Sequence, residues 1–430
     1  MTKRPADRDA SINFVACLID SVGFPTGMAF FSTATIIPIF MSRLHASNVA
    51  LGGLVAMINM LVYVPGIFVV RPINALVYVR TYLVSLALVE RLALLALAPL
   101  TVMWAVSHPS WLLAAIFVAF GTNALIMGLN QPSYWIVVGK CIAPRFRGRL
   151  FGLAGGIAGL FGIAVAAILK HLFAGSSQGF PNGYSMGFVI GFLITTLSVI
   201  PLGFVREPAR DTNTVVPELP ARLLHEALRV MCDQRGFRRF LGTQFICSLA
   251  GIATPFFVLY SQYALGASMS AVAGYTAIMV IAGSLGSLAC GTWSDVGGYR
   301  MVLVFAMSCA VIASSIAFIT HSPRDFYLVS VMSAISGAGL GIAGNNMVLE
   351  YAQEPQKIPL YTCLFNLVVA VPRSVAPLIG GLISSLAGGY HVIFLASVIL
   401  AAVSIVLILR LKDPRHLDLH GGRYRPLEST

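Results

Sequence analysis

The segment GTWSDVGGYR occupies residues 291–300 and lies between two long apolar stretches, at about 270–292 and 301–320. Its glycines allow the chain to turn sharply. Asp295 and Arg300 can bind the adjoining helix ends through charge and hydrogen bonds. An apolar stretch of about 20 residues is long enough to cross a bilayer as a helix. The segment therefore predicts two membrane-spanning helices joined by a short turn.

Similar apolar stretches fill most of the chain on both sides of this turn. Because each is long enough to span a bilayer, we predict twelve transmembrane helices in an all-α integral membrane protein. The predicted spans are 12–40, 49–70, 81–104, 110–136, 150–171 and 184–205, followed by 240–264, 270–292, 301–320, 326–350, 359–387 and 390–410.

The composition supports a membrane protein. Hydrophobic residues make up 57% of the 430 residues, charged residues 10%, and the mean hydropathy is +0.85. A soluble domain carries about 25% charged residues because its surface faces water. The net charge of +12 does not indicate nucleic-acid binding, because the basic residues form no single patch. The seven cysteines are scattered without C-x-x-C spacing, so we expect neither a metal site nor a cofactor.

The basic residues predict the orientation. Most of the 28 lysines and arginines fall in the termini and in alternate loops, which share one side of the membrane if the spans number twelve. Because basic loops stay in the cytoplasm, both termini are expected there. We therefore expect a multi-pass protein of the plasma membrane, or of the inner membrane in a Gram-negative cell, and a monomer.

A polar segment near the middle of the chain predicts the domain organisation. We expect a six-helix bundle over 1–205, a cytoplasmic linker over 206–239, a second six-helix bundle over 240–411 and a cytoplasmic tail over 412–430. Within the linker, 221–232 has the spacing of an amphipathic helix lying on the membrane surface. The two halves show a weak sequence similarity, since Pro25 and Pro255 each follow a run of small residues.

With this topology, two short motifs resemble the major facilitator superfamily. The first is the 291–300 segment, and the second is a basic turn between the predicted spans 4 and 5. The corresponding segment between spans 2 and 3, residues 69–80, contains no aspartate. The residues expected to form these gating loops are Gly291, Asp295, Gly298, Arg300, Arg147, Gly148 and Arg149.

The resemblance implies a transporter and not an enzyme. Two pseudo-symmetric six-helix bundles would rock about a substrate held near the bilayer midplane. Spans 1, 4, 7 and 10 would line the cavity, and spans 3, 6, 9 and 12 would lie outside. The sequence contains no G-x-x-x-x-G-K-[ST] phosphate loop, so an ion or substrate gradient would supply the energy.

Ionisable residues inside predicted spans are candidates for proton coupling, because burying them in lipid is costly. Asp20 is the first choice, with Arg91 as its expected partner, although a purely structural ion pair is an equal alternative. Glu90 is adjacent to Arg91 and is not expected to pair with it. Arg373, between Pro372 and Pro377, could hold an anionic substrate, compensate Asp20 or form an inter-helix ion pair.

Uncharged polar residues on the expected cavity spans are the substrate-binding candidates. They are Thr33, Asn123, Asn130, Gln131, Tyr260, Gln262, Asn345 and Asn346. We expect a proton-linked carrier of small organic molecules, with export favoured over import. The alternatives are an importer of a metabolite such as a sugar or nucleoside, and a lipid flippase on the same fold.

Overall fold

The structure is a computed structural model that describes residues 5–74, 76–142, 144–173, 180–208, 234–352, 358–386 and 389–411. The described residues form helices and short connections and contain no β-strand. The predicted linker helix at 221–232 and the predicted tail at 412–430 lie outside them.

The first half contains six spans. Span 1 comprises helices Pro5–Met28 and Ile36–Arg43 with the 3-10 turn Ala29–Phe31 between them, span 2 comprises Asn48–Tyr63 and Gly66–Asn74, and span 3 comprises Arg80–Leu95 and Leu97–Trp104. Span 4 is Pro109–Cys141, span 5 is Pro144–Leu172, and span 6 is Asn182–Val199 continued by the 3-10 turn Ile200–Phe204.

The second half repeats this arrangement. Span 7 comprises Arg235–Leu249, the 3-10 segment Ala250–Phe256 and Phe257–Tyr263, span 8 is Met269–Gly297, and span 9 is Tyr299–Ile319. Span 10 is Phe326–Ala352 after the 3-10 turn Pro323–Asp325, span 11 is Ile358–Leu386, and span 12 is His391–Leu409. The helix of span 7 starts at Arg235, earlier than the predicted boundary at 240.

The all-helical membrane architecture is confirmed. Among the described residues, eleven segments are long and apolar enough to cross a membrane, and the shorter apolar helix Asn48–Tyr63 belongs to the remaining predicted span. Span 2 is divided because Pro65, which follows Tyr63 after one residue, cannot donate a backbone hydrogen bond.

Spans 1 and 7 are both interrupted, at equivalent places in the two halves. Span 1 loosens into Ala29–Phe31 one turn after Pro25, and span 7 does so at Ala250–Phe256, which contains Pro255. A proline inside a helix removes one hydrogen bond and crowds the preceding turn. The weak sequence similarity between the halves therefore corresponds to a helix interruption that spans 1 and 7 share.

The hydrophobic core shows where the halves meet. We call the end that carries Arg80, Lys140 and Arg300 the basic end, and the opposite end, which carries Arg43 and Arg324, the far end. At the far end a single core joins both halves, with Phe30 and Phe40 from the first and Phe256 and Phe394 from the second.

The basic end has a separate core in each half. One core packs Val79, Leu83 and Val137 of the first half, and the other packs Phe237 and Phe365 of the second. The two halves therefore share one hydrophobic core at the far end, whereas each half has its own core at the basic end.

Within the first half, spans 1 and 6 touch through two glycines. A Cβ at Gly27 would lie 2.8 Å from the Gly191 carbonyl oxygen, and a Cβ at Gly191 would lie 2.9 Å from that of Gly27. Such close backbone approach between membrane helices depends on small residues. By contrast, a Cβ at Gly53 in span 2 would meet nothing within 4 Å.

We predict that Gly27→Ala lowers the stability of the detergent-purified protein by about 1–3 kcal/mol, because the added methyl group overpacks the contact between spans 1 and 6. Gly53→Ala is the matched control and should unfold at or slightly above the wild-type temperature, since alanine is the better helix former. Thermal unfolding followed by tryptophan fluorescence measures both. Equal melting temperatures for the two variants would contradict this packing.

Candidate functional site: a central cavity and a buried charge cluster

A cavity of about 660 Å³ lies between the two halves. The first half contributes Thr33 and Ala34 of span 1 and Val55 and Asn59 of span 2. The second half contributes residues from all of spans 7 to 12, including Ser314 of span 9 and Ser397 of span 12. The expectation that spans 9 and 12 lie outside the cavity is thus wrong, because the interrupted backbone of span 7 opens a path to the spans behind it.

Arg373 is the one charged residue among the described residues that line this cavity. Its guanidinium lies over the ring of Tyr63 at 5.0 Å from the centroid and donates a hydrogen bond to the Tyr63 hydroxyl. Arg373 is on span 11 and Tyr63 is on span 2, so this contact joins the two halves. The arginine makes no ion pair with a carboxylate that the structure describes.

The backbone around Arg373 follows from the prolines of span 11. Pro377 has no N–H, so the carbonyl of Arg373, four residues earlier, lacks its usual helical partner. Asn59 of span 2 donates to this carbonyl from its side-chain nitrogen at 2.8 Å. The proline thus creates an acceptor that a side chain of the other half satisfies, which ties spans 2 and 11 together beside the cavity.

Contacts between the halves close the cavity at the far end. Thr276 of span 8 donates to the hydroxyl of Thr35 of span 1 at 2.6 Å. A Cβ at Gly52 would collide with the Pro377 carbonyl, and one at Gly381 would collide with that of Asn48. Together with the shared far-end core, these contacts hold the two halves together at the far end.

A second polar site lies inside the first half, away from the cavity. One oxygen of Asp20 lies 3.7 Å from a terminal nitrogen of Arg91, and one oxygen of Glu90 lies 3.9 Å from the other. The three side chains are at most 10% exposed. The expected Asp20–Arg91 pair is present, whereas the expectation that Glu90 and Arg91 do not pair is wrong, because both flexible side chains reach the same space.

Other groups fix this cluster in place. Arg91 donates from Nε to the Thr195 carbonyl at 2.8 Å and from a terminal nitrogen to the Ala87 carbonyl at 2.6 Å. Ser198 donates to Asp20 at 3.4 Å. Glu90 Oε1 is buried and has no hydrogen-bond partner among the described atoms. The cluster therefore joins spans 1, 3 and 6, and one of its carboxylate oxygens is left unsatisfied.

The structure places few of the predicted polar candidates in the cavity. Thr33 lines it. Asn123 and Asn130 instead donate to the Glu90 and Leu83 carbonyls of span 3, each at 3.2 Å. Tyr260 lies within 3.3 Å of His391 near the far end.

The last four candidates also lie elsewhere. Gln262 donates to the sulfur of Met269. Gln131 and Asn346 are half-buried, Asn345 is exposed, and none of the three is among the residues that line the cavity. These residues were predicted because they lie on spans 4, 7 and 10, but the sequence does not show which face of each helix points into the cavity.

Sequence reasoning missed the polar residues that do line the cavity. They are Asn59 and Gln244 and the hydroxyl residues Ser248, Thr254, Ser287, Ser314, Ser333, Ser336 and Ser397. Gln244 carried a usable signal, since it is an amide inside a span expected to face the cavity. The serines carried none, because serine is common at helix contacts throughout membrane proteins.

The loop motifs are partly described. Gly298 has a φ of +86°, which favours glycine, and it alone separates the end of span 8 from the start of span 9. Gly291 and Arg300 are half-buried on the flanking helices. The side chains of Asp295, Arg147 and Arg149, and the surroundings of Gly148, lie outside the described part of the chain, although the backbone there is helical.

Glu207, just after span 6, connects the helix ends in the half whose loop lacks an aspartate. One oxygen accepts from Lys140 at the end of span 4, at 2.6 Å, and the other accepts from the backbone N–H of Arg80, the first residue of span 3, at 2.8 Å. A carboxylate at a helix N-terminus is favoured by the unpaired N–H groups there. A glutamate distant in sequence thus supplies the missing negative charge.

We predict that Glu207→Gln lowers the unfolding free energy by about 3 kcal/mol, because it leaves the Lys140 ammonium without its buried partner. The matched control is Asp9→Asn. It breaks the Asp9–Arg206 pair, whose side chains are 39% and 55% exposed, and should cost less than about 1 kcal/mol. Thermal unfolding in one detergent compares them, and a larger loss for Asp9→Asn would refute the role of Glu207.

Comparisons with known proteins agree with this architecture. Residues 240–425 match the family model described as Major Facilitator Superfamily. A search of curated proteins found no match. Among solved structures, the nucleoside transporter NupG (a mutant) superimposes with a TM-score of 0.70 at 11% identity, covering 93% of this chain and 99% of that one.

Two further structures cover nearly the whole chain. A bacterial homologue of the human lysosomal transporter Spinster, inward-facing and unoccupied, has a TM-score of 0.65 at 16% identity and covers 99% of this chain and 100% of its own. The E. coli fucose:proton symporter FucP has a TM-score of 0.61 at 14% identity, covering 94% and 100%. At such identities the structural likeness establishes the shared fold.

Proposed function

We propose that this chain is a proton-coupled carrier of small organic molecules of the major facilitator superfamily that works by alternating access, because residues 240–425 match the model of that family and the whole chain has the fold of solved transporters. The observation that carries the proposal is the central cavity, which lies between halves that share a core at one end and have separate cores at the other. We further propose that the basic end faces the cytoplasm, as the distribution of basic residues favours.

In this proposal the described conformation is the one that opens toward the basic end. To release a ligand on the other side, the halves must separate at the far end. The Thr35–Thr276 hydrogen bond and the contacts at Gly52 and Gly381 would break, while the basic ends close. Rocking of two rigid bundles about a midplane site is the motion this fold permits.

The Asp20–Glu90–Arg91 cluster is the proposed proton site. With both carboxylates ionised, the three groups carry a net charge of −1 in a region shielded from water, which is costly. A proton bound to either carboxyl group makes the cluster neutral. A proton on Glu90 would also remove the negative charge from a buried carboxylate whose Oε1 has no hydrogen-bond partner among the described atoms.

The position of the cluster supports a link to the cavity. Asp20 belongs to span 1, which carries Thr33 and Ala34 into the cavity and Thr35 to the far-end contact. Its surroundings include Ser198 of span 6 and, through the neighbouring Ser21, the Tyr134 hydroxyl of span 4. Protonation would therefore change how span 1 packs against spans 3 and 6, and so bias the position of a gating element. The fucose:proton symporter with the same fold favours proton coupling here as well.

We predict that pH shifts the conformational equilibrium without any substrate. Spin labels at Val77 and Met301 report the basic end, and labels at Ser107 and His321 report the far end; each pair joins exposed positions on opposite halves. Between about pH 8 and pH 5, pulsed-EPR distances at the two ends should change in opposite directions, because protonation neutralises the cluster.

Asp20→Asn removes one titrating carboxylate and should abolish most of this pH response, whereas the surface variant Asp9→Asn should keep it. An unchanged response in Asp20→Asn would remove Asp20 from the coupling role. Distances that never change in opposite directions would argue against alternating access itself.

A further inference from the structure

The central cavity contains a positive charge that has no negative partner among the residues that the structure describes. All four ion pairs of the described residues lie elsewhere, at Arg91 (two pairs), Lys140 and Arg206. No aspartate or glutamate lines the cavity in the described part of the chain. Asp20, a carboxylate on the cavity-lining span 1, is paired with Arg91.

Arg373 lies in the middle of span 11, about 22 Å from its start at 1.5 Å per residue. A guanidinium at this depth is costly unless it is paired. Tyr63 accepts one of its five N–H groups and offers its ring to the cation, which leaves the charge itself uncompensated. A negatively charged ligand would stabilise this guanidinium in the cavity by pairing with it.

We propose that the transported molecule is a small organic acid whose single carboxylate is bound by the Arg373 guanidinium; the inference rests on the carrier function proposed above. The planar guanidinium presents paired N–H groups that match a carboxylate. The lining offers one such cation, so a ligand with one negative charge is neutralised in the bound state, whereas a multiply charged ligand is not.

The other residues that line the cavity indicate the chemistry of the rest of the ligand. Hydroxyl groups from Ser248, Thr254, Ser287, Ser333 and Ser336 face it from three spans, and they can both donate and accept hydrogen bonds. Phe257 is the single aromatic residue of the described lining, so there is no pair of rings between which a sugar or base could stack. These walls suit a hydroxylated aliphatic acid better than a nucleoside.

Arg373 also connects ligand binding to the contact between the halves. Its guanidinium rests on Tyr63 of the opposite half while the cavity is empty. A carboxylate would draw the guanidinium away from that hydroxyl and weaken a contact between spans 2 and 11. The backbone bond from Asn59 to the Arg373 carbonyl can persist during this exchange, because it does not involve the charged group.

The test is thermal unfolding of the full-length purified protein with matched pairs of ligands. The acids are lactate, glycerate, gluconate and 3-hydroxybutyrate, and each is paired with its uncharged carboxamide. We expect at least one acid to raise the melting temperature by several degrees, with no shift from its amide. No shift from any acid, equal shifts from an acid and its amide, or a response confined to phosphate esters would overturn the proposal.

Variants distinguish an anion-binding role of Arg373 from a purely structural role. Arg373→Gln should weaken binding of the responding acid by about a hundredfold, and Arg373→Lys should retain part of it, because the point charge remains without the paired N–H geometry. Tyr63→Phe keeps the ring and should bind the acid at least as tightly as wild type. Loss of binding in Tyr63→Phe with retention in Arg373→Gln would contradict the assignment. Neutral ligands that stabilise the protein would refute the acid while leaving the carrier function standing.

Discussion

The lack of water inside a bilayer is the constraint on which this structure depends. Every polar group within the hydrocarbon region must find its partner inside the protein. Thr101 and Ser330 bond to carbonyls four residues earlier on their own helices. Asn123 and Asn130 reach instead to carbonyls of span 3 and hold spans 3 and 4 together. Polar residues that look like ligand-binding groups in the sequence are used here to assemble the first half.

Several exceptions to this constraint lie beside the central cavity. Proline removes backbone hydrogen bonds, and three of the affected places are the interruptions of spans 1 and 7 and the middle of span 11. All three border the central cavity. At span 11, Pro377 leaves the Arg373 carbonyl without its helical partner, and Asn59 of the other half donates a hydrogen bond to this carbonyl. The proline therefore creates a contact between the halves beside the cavity.

In the proposed mechanism, one charged site binds the proton and the other binds the ligand. The Asp20–Glu90–Arg91 cluster holds more negative than positive charge and lies inside one bundle, where a proton can balance it. Arg373 is a positive charge without a partner among the described residues and lies in the cavity, where an anionic ligand can balance it. In our proposal, span 1 connects the two sites, because Asp20 and Thr33 lie on it on either side of Phe24 and Pro25.

The architecture could be predicted from the sequence because it follows from length, hydropathy and loop charge. The Asp20–Arg91 pair could also be predicted, since two opposite charges at similar depth in a membrane have few alternatives. The residues that line the cavity could not be predicted. Asn345 is exposed and Gln244 lines the cavity, although both are amides on expected cavity spans, because their orientation depends on the rotation of each helix in the bundle. Glu207 was missed because its partners, Arg80 and Lys140, are distant in sequence.

The central claim is that a ligand reaches one cavity alternately from both ends, and thiol accessibility tests it most directly. In a variant whose seven native cysteines, including the cavity-lining Cys247, are replaced by serine or alanine, Ser287→Cys places a single thiol in the cavity. A membrane-impermeant maleimide is then applied from either side of oriented membrane vesicles. Thr35→Cys with Thr276→Cys, whose hydroxyl oxygens lie 2.6 Å apart in the native chain, allows the far end to be closed by oxidation beforehand. We predict labelling from both sides before oxidation, labelling from the basic end alone after it, and recovery on reduction. Labelling from the far side that is unaffected by the crosslink would contradict the account.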